Sequence, residues 1–365
     1  MNATSPTEYT FMTDSFNFSD DEKYLGVLSK DGFVDVMVLI TICITGIVGN
    51  SLVIIVYSVT TQKETTASLY MIHLAIADLF TLLAVVTLHV SQYFPQTWQV
   101  LWRYDFQCKL HRFGRFLATV TTVYIMVAIA LDRYVAVIHP LVYRVHNSPK
   151  RTKRILACIW IGSALLASPV SFRFTTKYNA DFKASAFQSD ACQLERSPNY
   201  QIFFRFYVCF ILVLIPAIAT GLVYSLLLIQ VCRRNKDFLN GQHSQLAALS
   251  YLNQWKIAKT LFAVYIGYMV CYIPYFMFNF ASVFDYYFSY IFSNVALLLP
   301  FANSCVNPVF YTLLNDKFRA GLLDIFLPAG REGRRNADTT KMNVVSHVQS
   351  CPTSSRSTQT LHSMV

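Results

Sequence analysis

The sequence predicts an all-α membrane protein, a seven-transmembrane helix bundle followed by a short amphipathic helix on the inner leaflet. Three observations predict it. Over 365 residues the chain is 54% hydrophobic and only 14% charged, with mean hydropathy +0.40, whereas a soluble domain carries about 25% charge. Seven apolar stretches occupy residues 33–59, 69–93, 108–139, 154–172, 200–232, 256–284 and 289–314, each close to or above the roughly 20 residues that cross a bilayer core. Lys and Arg gather in alternate connections between them, for example Arg144, Lys150, Arg151, Lys153 and Arg154, then Arg233 and Arg234. By the positive-inside rule those connections are cytoplasmic. The N-terminus then lies outside and the C-terminus inside a multi-pass protein of the plasma membrane.

The chain divides accordingly. Residues 1–32 form a polar extracellular tail, 33–314 the seven-transmembrane domain, 315–327 a membrane-surface helix and 328–365 a disordered cytoplasmic tail. The first 30 residues are polar and acidic with no apolar core, so no cleavable signal peptide is expected. Asn2-Ala3-Thr4 and Asn17-Phe18-Ser19 make Asn2 and Asn17 glycosylation acceptors on that outer tail. Pro169, Pro216, Pro274 and Pro308 fall within or near spans, where neighbouring helices satisfy the freed carbonyls. The net charge of +10 belongs at membrane edges in so apolar a chain, so lipid rather than nucleic acid is the expected contact. The nine cysteines divide by compartment. Only Cys108 and Cys192 face the oxidising side, so one bridge is available there, tying the third span to the second outer loop; the alternative is two free thiols.

Each span carries a marker. These are Gly49-Asn50 in the first, Leu74 to Asp78 in the second, Asp132-Arg133-Tyr134 closing the third and Trp160 in the fourth. Pro216 with Tyr224 marks the fifth, Cys271 to Pro274 the sixth and Asn307-Pro308 to Tyr311 the seventh. With this ordered set, residues 33–326 resemble the rhodopsin-like (class A) G-protein-coupled receptors. The resemblance implies a receptor that activates heterotrimeric G proteins, and neither an enzyme nor a repeat-built transporter. No internal repeat and no metal-ligand or nucleophile motif is visible in the sequence.

Asp78 lies mid-membrane, where an ionisable group is costly and usually functional. The resemblance groups it with Asn50, Thr122, Asn303, Ser304 and Asn307 as the site of an allosteric sodium ion, with no other cofactor or metal; the alternative is a carboxylate satisfied by hydrogen bonds and water alone. It makes Asp132, Arg133 and Tyr134 the G-protein coupling end, with Tyr224, Tyr268, Tyr272, Pro274, Asn307, Pro308 and Tyr311 as switch residues. A snorkelling Arg133 is the plainer reading. Two departures stand in the sixth span, where Tyr268 and Tyr272 replace the family's usual Phe and Trp. A third lies near its start, Asn253 to Lys256, where many relatives have an acidic brace for the Arg and this chain has none.

Phe318, Leu322, Ile325 and Phe326 repeat at helical spacing, which makes 315–327 amphipathic. The Ser- and Thr-rich tail beyond, with Thr353, Ser354 and Ser355, is disordered by composition and fits an arrestin partner once phosphorylated. Within the class, the segments Trp98 to Trp102, Cys108 to Arg115, Cys271 to Tyr275, Phe284-Asp285 and Asn303 to Pro308 are similar to the gonadotropin-releasing-hormone, adipokinetic-hormone and vasopressin type receptors.

Arg115 bears most on the ligand. It lies seven residues, two helical turns, from Cys108 and so faces the outer cavity. A cation there disfavours amine ligands and suits a carbonyl-rich peptide or an acid. Trp98, Trp102, Tyr275 and Phe278 are candidate aromatic contacts, or ordinary interface aromatics. An extracellular neuropeptide is the expected ligand; an acidic small molecule or lipid-like pheromone is the alternative.

Overall fold

The computed structural model describes residues 30–59, 65–91, 104–172, 174–176, 192–194, 198–239, 245–284, 286 and 288–326. Helix α1 spans Lys30–Val59. Helix α2 starts at Thr66, where the Thr65 side chain accepts from the Ser68 amide, and continues through a π segment Thr81–Val86 to Val90. Helix α3, Asp105–Ile138, is opened by a reciprocal cap in which the Tyr104 amide donates to Gln107 Oε1 at 3.0 Å. A seven-residue helix α4, Pro140–His146, carries Pro at its first position, where the missing amide costs nothing. Helix α5 is Pro149–Ser171.

Strands β1, Phe174–Thr176, and β2, Cys192–Leu194, pair antiparallel with Thr176 opposite Cys192. Helix α6 then runs in three segments, Pro198–Tyr207, a π turn Val208–Leu214 and Ile215–Leu239. Helix α7, Gln245–Ala281, contains Pro274, and α8, Tyr290–Leu314, contains Pro300 and Pro308. Helix α9, Asp316–Phe326, follows at once.

Six of the described helices are long and apolar enough to cross a membrane by length and composition. The exception among the seven long helices is α5, the expected fourth span, whose first two turns hold Lys150, Arg151, Lys153 and Arg154. The all-α expectation holds, with one small addition, the β1–β2 hairpin. Its six residues are too few for a period-2 pattern to register in sequence.

Helix α3 is central, touching α2, α5, α6, α7 and β1, while α1 packs on α2, α8 and α9. The interior is mainly apolar but carries buried polar groups, and the exterior is apolar as well. Asn50, Asp78, Thr122, Asn303 and Asn307 are buried, while Phe33, Ile44, Val48, Leu165, Leu222 and Val270 are exposed. Inward polar groups and outward apolar ones are what a lipid solvent selects. Small residues set the closest approaches. A Cβ on Gly49 would lie 2.8 Å from Pro308, and one on Gly267 2.6 Å from Val306.

Candidate functional site

Two cavities sit along α3. The first is lined by Arg115, Phe116 and Thr119 of α3, Val208 of α6, Tyr272 and Tyr275 of α7 and Pro300 of α8. Arg115 projects between rings, its Cζ 4.8 Å from the Phe301 centroid and 5.7 Å from that of Tyr275. These are cation–π distances. Behind Phe116, the rings of Phe174 and Phe204 join β1 and α6 to α3, at 5.5–6.4 Å between centroids. Arg112 caps that knot, 4.7 Å above Phe174.

Of the expected ligand contacts, Arg115 and Tyr275 both line the first cavity. Phe278 is half-buried but lines neither cavity. Trp98, Trp102, Asn2 and Asn17 lie outside the described residues. Cys108 is fully buried and disulfide-bonded, which removes the free-thiol alternative for that residue; the Cys192 side chain lies outside the described residues.

The second cavity continues from the first, sharing Arg115, Thr119, Tyr272 and Pro300. Its far wall is Asp78, Thr122, Asn303 and Ser304. Asn307 Nδ2 donates to Asp78 Oδ2 at 2.7 Å, bridging α8 to α2. Asn50 Nδ2 donates to the Ser304 and Gly46 carbonyls at 2.7 and 2.9 Å. The structure thus gathers Asn50, Thr122, Asn303, Ser304 and Asn307 around Asp78. Among the described residues nothing donates to the buried oxygens Asn303 Oδ1 and Asn307 Oδ1. A carboxylate with unpartnered amide oxygens is a donor set for a hard cation, so the residues fit a sodium ion.

Tyr268 and Tyr272 stack on each other at 4.4 Å, and the Tyr272 hydroxyl donates to Thr119 Oγ1 at 3.4 Å. That is how the added Tyr272 hydroxyl finds a partner in the core. One turn along, Tyr265 donates to the Ala217 carbonyl at 2.8 Å and packs 5.8 Å from Tyr224. Tyr311 is buried against Phe318 of α9, at 6.1 Å between rings. No described residue partners its hydroxyl. Pro308 seats against Gly49, and Pro274 is half-buried within α7.

At the far end of α3, Arg133 is buried and ion-paired with Asp132, whose Oδ2 also accepts from Nε at 3.1 Å. Arg133 Nη2 donates to the Tyr143 hydroxyl at 3.0 Å, and that hydroxyl lies 3.3 Å from Asp132 and 2.9 Å from Thr66 Oγ1. Burial pushes the Tyr143 phenol above its usual range, so it stays protonated and bridges all three. A snorkelling Arg does not describe this residue, because its head group is inside. Tyr134 points elsewhere, edge-on to His139 at 6.4 Å.

Tyr143 and Thr66 were not apparent from sequence. The available signal was Pro140, which marks a helix start and puts Tyr143 back beside Asp132. Arg205 of α6 was missed as well. Its Nη1 is buried without a hydrogen-bond partner among the described residues, one turn from Val208 in the first cavity.

Comparison with known proteins agrees with this architecture. The chain is 28% identical to somatostatin receptor type 4 of Rattus norvegicus over 282 residues, 76% of this chain and 68% of that protein. It is 25% identical to the allatostatin-A receptor of Bombyx mori, covering 76% and 74%, and 27% identical to the substance-P receptor of Rattus norvegicus, covering 78% and 69%. These relatives lie in the expected class, and the narrower likeness to gonadotropin-releasing-hormone, adipokinetic-hormone and vasopressin type receptors rests on the sequence segments alone. The family model described as 7 transmembrane receptor (rhodopsin family) matches residues 49–311. An ordered set of span markers, a cluster of buried polar groups around Asp78 and this match lead to one conclusion: the chain belongs to the rhodopsin family of seven-transmembrane receptors.

Proposed function

We propose that the chain is a plasma-membrane receptor that binds an extracellular peptide in the Arg115 cavity and activates a heterotrimeric G protein at the Arg133 end. The observation that carries this reading is helix α3. It holds one guanidinium in an aromatic cavity and, about 27 Å further along at 1.5 Å per residue, a second one tethered by Asp132 and Tyr143. Release of the second on rearrangement of the first is the coupling. Arg115 repels an ammonium and offers forked donors to a carbonyl or carboxylate. The relatives are named for somatostatin, allatostatin-A and substance P, which favours a peptide.

In this reading the N-terminus is outside, the C-terminus cytoplasmic, and Cys192 is the partner of Cys108, drawing the hairpin over the cavity. The Asp78 cavity takes a sodium ion that favours the resting arrangement, and the phosphorylated tail recruits arrestin. A second reading rests on the same guanidinium, which accepts a small carboxylate as well as a peptide carbonyl. A calcium or cAMP readout in transfected cells, run against a neuropeptide library and an acidic-metabolite library, separates the two. Amidated peptides active at nanomolar levels support the peptide reading; activation by small carboxylates and by no peptide overturns it.

A further inference from the structure

The two cavities meet at Arg115, and this has a bearing on the ion. Among the residues lining them, Arg115 is the one cation and Asp78 the one carboxylate. Arg115 makes no hydrogen bond or ion pair with any described residue, only the ring contacts to Phe301 and Tyr275. Its charge is therefore not cancelled locally. Tyr272 lines both cavities, and Arg115 and Asp78 share the lining of the second. The Asp78 cavity has room for about one water-sized particle, so little solvent screens one charge from the other. With Arg115 cationic and Asp78 ionised, this interior is already neutral. Adding a sodium ion makes it positive, which a low-dielectric interior opposes.

The geometry points to Arg115 as the residue that sets this receptor's sodium affinity, holding it low because guanidinium and ion draw on the field of one carboxylate. The inference rests on the reading that the ion sits at Asp78. Two unit charges about 10 Å apart at an effective dielectric near 20 repel by the equivalent of roughly tenfold in an equilibrium constant. One side chain would then join the ligand site to the ion site, and sodium sensitivity would follow the charge at a ligand-facing position.

The test needs no ligand. Purified full-length receptor in nanodiscs is melted across a sodium chloride series, with choline chloride holding ionic strength constant, and the half-maximal sodium concentration for stabilisation is read. Arg115→Gln is expected to lower that concentration about tenfold, while Arg115→Lys, which keeps the charge, stays near wild type. Asp78→Asn is expected to abolish the sodium-specific shift. Equal midpoints for wild type, Arg115→Gln and Arg115→Lys, with Asp78→Asn insensitive, would overturn the inference and leave the ion site standing. A sodium shift unchanged in Asp78→Asn, or none in wild type and Arg115→Gln alike, would remove the site and the inference with it. If Arg115→Gln unfolds during purification, Arg115→Met supplies the same neutralisation and is read against Arg115→Lys.

Discussion

Arg115 is a charge held by rings alone. Such a residue gains most from a ligand that brings an acceptor, and a charge-assisted hydrogen bond is worth about 1.5–3 kcal/mol. Arg115→Gln is therefore expected to weaken the activating ligand roughly ten- to a hundredfold at equal surface expression, and Arg115→Glu further, measured by competition binding. Full potency in Arg115→Glu would place the residue away from the ligand. Arg133 is the opposite case, a charge over-provided with partners. Arg133→Ala should keep ligand binding and lose nucleotide exchange on the G protein. Tyr143→Phe removes the hydroxyl that holds Arg133, Asp132 and Thr66 together, so basal exchange should rise several-fold. An unchanged basal rate would mean that the Asp132 ion pair holds Arg133 unaided.

Helices were easier to read than their joints. The Asp78–Asn307 bond joins two residues that the span markers had already singled out, since a carboxylate mid-membrane has few partners to choose from. The Tyr268–Tyr272 stack was foreseeable as two unusual aromatics one turn apart, but not its 4.4 Å geometry. Helix α4 is only seven residues long, without a long apolar run, and the hairpin is shorter than any pattern, so neither was visible. Tyr143 was lost with α4. The glycines carry element-scale predictions. Gly267→Ala drives a methyl to 2.6 Å from Val306 and 2.7 Å from Phe310 at the α7–α8 seam; overpacking of this kind costs about 1–3 kcal/mol. Its melting temperature in detergent should fall. Gly162→Ala, with nothing within 4 Å, should melt at or slightly above wild type, since Ala is the better helix former, and equal losses in both would rule out the clash at the α7–α8 seam as the cause.

At the scale of the whole molecule, the apolar exterior decides the environment. Exposed Phe33, Ile44, Leu165 and Val270 want hydrocarbon, and the basic start of α5 and basic end of α6 want an anionic leaflet. An epitope tag before Met1 should bind antibody on intact cells, and one after Val365 only after permeabilisation. The reverse staining would overturn the assigned orientation.

The π turn at Val208–Leu214 carries a consequence for how such a receptor changes over generations. One residue more than an α-turn rotates everything beyond it by about 100°. Phe204 and Arg205 therefore owe their heading relative to Tyr224, on the other side of Pro216, to that surplus residue. A one-residue deletion in the turn would swing the ligand wall around and leave the stretch from Pro216 to Tyr224 in place. The two halves of this helix are separable parts, and a new ligand can be met by re-aiming the first without retuning the second.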